Sequence, residues 1–178
     1  MRIAYGGHPG AFGELACLGH FPDDQAIGHA DFRSACDALV AGDCDRALIP
    51  FENSIAGKVP GVAQLIDWLP VTRIGVHPQP VAFHCLAMPG ARLSEISVVA
   101  SHPMALAECG RFLDQIGARR EEAGDTAGAA ADVARAGLPT RAALASARAA
   151  KLYGLEVIAE NVEDRADNVT YFAVLRRA

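Results

Sequence analysis

Three polar clusters, each bordering an apolar run, carry the side chains in this chain that could do chemistry. Ile49-Pro50-Phe51 leads into Glu52, Asn53 and Ser54, and Val98-Val99-Ala100 leads into Ser101 and His102. Far downstream, Asn168-Val169-Thr170-Tyr171-Phe172-Ala173-Val174-Leu175 sets Thr170 in a strand-like run. Carboxylate, carboxamide and hydroxyl groups displayed at strand ends can hold a small polar molecule and lend it a proton. Ligands of open α/β sheets bind outside the carboxyl ends of the strands, where such junctions collect. Asp125-Thr126-Ala127 and Gly6-Gly7-His8-Pro9-Gly10 are further strand-to-helix junctions, the latter with backbone N–H groups at a helix start.

Each cluster also has a plain structural reading. Asn and Ser bend and cap chains readily, Ser101 can cap a helix beginning near Met104, and the glycine loop serves equally as a turn. That loop lacks G-x-G-x-x-G spacing and a P-loop Lys, which argues against nucleotide binding. His102 is a candidate general base, yet no Ser-x-Gly elbow or carboxylate pattern accompanies it, so a hydrolase triad is unsupported.

The elements that must position these residues alternate short apolar runs with helical periodicity, as in a layered α/β protein. Strands are expected at Ile3–Tyr5, Ala26–His29, Arg46–Phe51, Ile96–Ala100, Ala118–Glu121, Ala142–Ala145, Glu156–Ala159 and Thr170–Leu175. Helices are expected at Ala11–His20, Phe32–Ala41 (capped by Asp31 and ended by Gly42), Val62–Leu69, Met104–Ile116, Thr126–Ala136 (capped by Asp125) and Ser146–Tyr153. Ile74 to Met88 carries Pro78 and Pro80 among β-formers and resembles extended crossing segments, which marks a lobe boundary.

The 178 residues suffice for one domain or two small lobes with a proper core. A net charge of -5, with Lys and Arg dispersed, disfavours nucleic acid as a partner. No stretch approaches the roughly 20 apolar residues of a membrane span. The start runs straight into a strand without a secretory leader, so the expected compartment is the cytoplasm. Five cysteines without a C-x-x-C pair read as reduced, mostly buried thiols, with no disulfide framework and no zinc site.

Taken in order, these blocks resemble prephenate dehydratase, the lyase of phenylalanine biosynthesis that converts prephenate to phenylpyruvate. The resemblance runs from Tyr5-Gly6-Gly7-His8-Pro9-Gly10-Ala11-Phe12 through Ile49 to Val59, Ser101 to Cys109, Asp125 to Ala130 and Tyr153-Gly154-Leu155 to Asn168–Phe172. It implies an α/β fold of two lobes, similar to type II periplasmic binding proteins, with the active site in the inter-lobe cleft. Lobe one would take about 1–75 plus 163–178, and lobe two about 76–162, of a single catalytic domain. It further implies a homodimer or higher homo-oligomer and no cofactor or metal. By matching position Thr170 is the proton donor to the leaving hydroxyl, and Asn53 and Ser101 hold and polarise the substrate. Glu52, Ser54, His102, Glu108, Thr126 and Phe172 are the expected substrate-binding residues. The N–H groups near Gly10 and Met104 are candidate carboxylate receivers.

The family's Thr-Arg-Phe reads Thr170-Tyr171-Phe172 here, and Glu108 and Met104 stand where the family usually has Gln. A neutral phenol replaces a bidentate fork, and a carboxylate at 108 would repel a dianion unless it is protonated or paired. The chain ends at Ala178, just after the catalytic part, so an ACT regulatory domain is not expected. Two diverged functions fit the same fold: a prephenate decarboxylase that does not aromatise, and a non-catalytic protein that binds small anions.

Overall fold

In the computed structural model, which describes residues 1–178, strand β1 (Arg2–Gly6) opens the chain with Ile3, Ala4 and Tyr5 fully buried. The chain forms two units, the first made of Met1–His8, Phe12–Val81 and Asp167–Ala178 and the second of Pro9–Ala11 and Ala82–Ala166. These limits stand beside the expected change of lobe near residues 75 and 163.

In the first unit β1 is followed by α1 (Phe12–His20), β2 (Gln25–His29), α2 (Phe32–Ala41), β3 (Arg46–Asn53), β4 (Gly57–Lys58), α3 (Val62–Trp68), β5 (Val71–Pro80) and the C-terminal β11 (Val169–Arg177). The strands form a mixed sheet in the order β2-β1-β3-β11-β5, with β4 attached to β3. β1 runs parallel to β2 and β3, whereas β11 is antiparallel to both β3 and β5. Helix α2 starts at a reciprocal cap: the Ser34 N–H donates to the Asp31 carboxylate at 2.7 Å, and the Asp31 N–H donates to Ser34 Oγ at 3.1 Å. It stops at Gly42, whose φ of 88° closes the last turn. Between those signals Ala35, Cys36 and Leu39 are buried against Ala47, Ile49, Ala173 and Leu175 of the sheet. Burying Leu39 alone is worth about 1.5–3 kcal/mol.

Two irregularities shape this sheet. Between Tyr171 and Phe172 the β11 register slips from Glu52 to Pro50, so Phe51 is an extra residue on β3. Pro50 cannot donate to a ladder, and a bulge is where an inner strand tolerates proline. Pro78 and Pro80 lie on β5, the edge strand, where a missing donor costs least.

The second unit comprises β6 (His84–Ala87), a 3₁₀ turn (Leu93–Glu95), β7 (Val98–Ser101), α4 (Pro103–Glu108), α5 (Gly110–Ile116), β8 (Arg119–Glu122), α6 (Thr126–Ala136), β9 (Arg141–Ala145), α7 (Ala147–Tyr153) and β10 (Glu156–Ala159). Its sheet has the order β10-β6-β9-β7-β8. The alanine-rich faces of α6 (Ala127, Ala129, Ala130) and β9 (Ala142, Ala143, Ala145) are buried, so small side chains permit close helix–sheet packing. Helix α7 also fixes Pro9–Ala11 to this unit. Ser146 Oγ donates to the Gly10 carbonyl at 2.6 Å, and Tyr153 OH donates to the Pro9 carbonyl at 2.7 Å.

The single helix expected from Met104 to Ile116 is instead two, broken at Cys109. Asp164 replaces the helical bonding there: its N–H donates to the Glu108 carbonyl at 2.7 Å, and its carboxylate accepts from the Arg111 N–H at 3.1 Å. A tertiary contact thus interrupts a run whose apolar spacing is continuous.

Candidate active site

Within the first unit, Asn53 and Thr170 face each other as register partners across β3 and β11. Asn53 Nδ2 donates to Thr170 Oγ1 at 3.1 Å and to Asn168 Oδ1 at 2.7 Å. Asn53 Oδ1 accepts from the N–H groups of Ile55 at 2.8 Å and Ala56 at 2.9 Å, which bends the chain after β3. Ser54 Oγ donates to the Asp167 carbonyl and accepts from the Val169 N–H, each at 2.9 Å, tying that bend to the start of β11. Glu52 is exposed and lies opposite both Lys58 and Tyr171. Phe172, beyond the bulge, is only 3% exposed and belongs to the core.

The second unit contains the remaining candidates. Ser101 ends β7, is fully buried, and its hydroxyl donates to the Leu144 carbonyl at 2.7 Å. It does not cap α4. His102 does so instead, with Nδ1 accepting from the Met104 N–H at 3.2 Å. That contact makes Nδ1 an acceptor, so a neutral His102 carries its proton on Nε2. It also occupies the Met104 N–H expected to be free for a carboxylate. Glu108 is the half-buried last residue of α4 and Thr126 the half-buried first residue of α6, where Asp125 caps by accepting from the Gly128 N–H at 2.8 Å.

The recess of about 350 Å³ beside α5 is lined by Arg111, Phe112, Gln115, Glu160, Asn161 and neighbouring residues, and none of the candidate residues lines it. Three of its charged side chains are engaged within the unit: Arg111 pairs with Asp164, and Glu163 accepts from the Phe83 N–H. The cysteines are buried. Burial pushes the Cys17 and Cys85 thiols up to about 12 and the Cys36 thiol up to about 11, so all three are neutral at physiological pH. No helix is long and apolar enough to cross a membrane.

The family model described as prephenate dehydratase matches residues 3–178. The chain belongs to the prephenate dehydratase family. Among curated relatives, this prephenate dehydratase family member is 40% identical to "Arogenate dehydratase 1" of Petunia hybrida over 179 residues, covering 99% of this chain and 42% of the relative. It is equally 40% identical to "Arogenate dehydratase/prephenate dehydratase 6, chloroplastic" of Arabidopsis thaliana, covering 99% of this chain and 43% of the relative. The chain thus spans about two fifths of the length of these relatives.

Among solved structures, the prephenate dehydratase from Arthrobacter aurescens superimposes with a TM-score of 0.90 at 28% identity, covering 100% of this chain and 61% of that one. GqqA, described as a novel type of quorum quenching acylase, gives a TM-score of 0.90 at 34% identity, covering 100% and 64%. A periplasmic substrate-binding protein of an ABC transporter from Coxiella burnetii gives 0.53 at 14% identity, covering 99% and 84%, a likeness of fold. The α/β architecture with two mixed sheets is accordingly that of prephenate dehydratases and of proteins resembling periplasmic binding proteins. Asn168 is the one residue of the Asn53–Thr170 network absent from the sequence-derived candidates. Its signal was its place two residues before Thr170, which in an extended chain puts both side chains on one face.

Proposed function

We propose that this chain converts prephenate to phenylpyruvate, with loss of CO2 and water, in aromatic amino acid biosynthesis. The carrying observation is the Asn53–Thr170 bond: because Thr170 Oγ1 accepts from Asn53, the hydroxyl proton of Thr170 is left to be donated. In this reading the bond from the ring carbon to the carboxylate breaks, its electron pair enters the ring, and the C–O bond to the ring hydroxyl breaks as the ring aromatises. Thr170 donates to the departing hydroxide. One proton from solvent, added to the prephenate dianion, balances CO2, water and the keto-acid anion. Gain of aromaticity drives the step, so orientation and a single donor suffice. Ser101, with its own proton engaged by Leu144, retains only lone pairs for a substrate hydrogen atom.

Arogenate is a second reading, supported by the names of the relatives and by Glu52, an exposed carboxylate suited to an ammonium group where prephenate carries a ketone. An acylase requires an activated nucleophile. Here the Ser101 and Ser146 hydroxyls donate to backbone carbonyls and the thiols are held neutral by burial, which favours the lyase. The family resemblance further implies a homodimer or higher homo-oligomer, which light scattering on the purified chain tests.

Incubation with prephenate and with arogenate, followed by detection of phenylpyruvate and phenylalanine, tests the assignment. We expect product from prephenate with the higher kcat/KM, and a Thr170→Ala variant that folds normally but loses about 10² to 10⁴ of kcat. Turnover of neither compound above the spontaneous rate would end the dehydratase reading, and a higher kcat/KM on arogenate would replace the substrate.

A further inference from the structure

The carboxamide of Asn53 has no polar capacity left for a substrate. Its Oδ1 accepts two backbone N–H groups, from Ile55 and Ala56, and those donors can point only at an oxygen. The amide orientation is therefore fixed by the bend it holds, and both Nδ2 hydrogens lie on the other side. One goes to Thr170 Oγ1 and the other to Asn168 Oδ1. Asn168 must present its oxygen, since Nδ2 can only donate. It is 2% exposed, and its carbonyl accepts from the Val81 N–H at 2.9 Å, so it is anchored from the β5 side as well. A buried carboxamide held in this way is a rigid reference point, because leaving its polar atoms unpaired costs about 1–3 kcal/mol.

We infer that Asn168 is a positioning residue of the reaction: through Asn53 it fixes Thr170 Oγ1 as an acceptor and so aims the hydroxyl proton outward as a donor. Asn53 then acts on Thr170 and not on the substrate. This rests on the dehydratase reading. With the acceptor at 168 removed, Asn53 Nδ2 has an unpaired hydrogen and its amide can tilt, which frees the Thr170 hydroxyl to rotate. Because the pair does not touch substrate, the loss falls on kcat and leaves KM.

The test compares the wild-type chain with Asn168→Leu, which keeps the branched side-chain skeleton at a somewhat larger volume and removes the acceptor, and Asn168→Asp, which keeps both skeleton and acceptor. Asn168→Leu is expected to lower kcat by on the order of 10²-fold with KM within about twofold, as a misaimed group does. Asn168→Asp is expected to recover at least about tenfold of that loss, a rescue that volume alone would not give. Side-chain amide exchange in the wild type is read by NMR independently of turnover, and both Asn53 Nδ2 protons should exchange slowly at separate shifts. Rapidly exchanging Asn53 amide protons would overturn the inference even if both variants failed to fold. So would an active wild type whose Asn168→Leu variant keeps kcat, or loses affinity instead, while the dehydratase reading stood. A wild type inactive on both prephenate and arogenate would remove the reading and the inference with it.

Discussion

At the scale of single residues, Tyr171 stands where the sequence resemblance leads one to expect arginine, and the register gives that difference a physical meaning. Tyr171 lies directly across from Glu52, an exposed carboxylate, one pair along from Asn53 and Thr170. An arginine at 171, as in the family motif, would stand opposite that carboxylate, and opposite charges paired across strands contribute roughly 0.2–1 kcal/mol. Tyr171→Arg is therefore expected to raise the melting temperature slightly and to give equal or higher turnover. Calorimetry and the phenylpyruvate assay read both, and a more than tenfold fall in kcat would mean that Tyr171 serves a changed substrate. Asn53 and Thr170 were legible in the sequence because each borders a recognisable apolar run. Their bond was not, since 117 residues separate them. Asn168 was less legible still: its place two residues before Thr170 puts it on the same strand face, but burial of a carboxamide is a property of its neighbours, which that spacing does not announce.

At the scale of elements, signals local to the chain were readable and signals from distant contacts were not. Helix α2 has the start at Asp31 and the stop at Gly42 that its residues imply, because caps are made by adjacent residues. The break between α4 and α5 depends on Asp164, 53 residues beyond Arg111, and the apolar pattern alone reads as one helix. Gly10 shows the same distinction. Its φ of 95° already favours glycine, and a Cβ there would lie 2.9 Å from Ala149 Cα on α7, so the residue is demanded twice. Gly57, with φ 79° and nothing within 4 Å, is demanded once. Gly10→Ala should accordingly destabilise by more than the roughly 1–3 kcal/mol of backbone strain that a left-handed residue carries, and Gly57→Ala by no more than that. Urea titration of the two variants decides it, and equal midpoints would show that α7 yields to the added methyl.

At the scale of the whole molecule, neither unit is a continuous piece of chain, and the first unit depends on its last segment. Strand β11 lies between β3 and β5, so without it β5 has no partner in the sheet. It also supplies Phe172, Val174 and Leu175, each at most 3% exposed. At about 1.5–3 kcal/mol per side chain those three contribute roughly 5–9 kcal/mol, comparable to the 5–15 kcal/mol by which a typical domain is stable. A fragment of residues 1–81 should therefore lack cooperative unfolding. The Val81 N–H meets the Asn168 carbonyl at 2.9 Å, so a short glycine linker can join residue 81 to 167–178 and restore β11 to its place. Circular dichroism during thermal unfolding distinguishes the two chains: a sigmoidal transition is expected only for the joined one. A cooperative transition in 1–81 alone would mean that β1, β2 and β3 with α1 and α2 form a self-sufficient core. In that case the C-terminal strand would serve chiefly to carry Thr170 and Asn168 to Asn53.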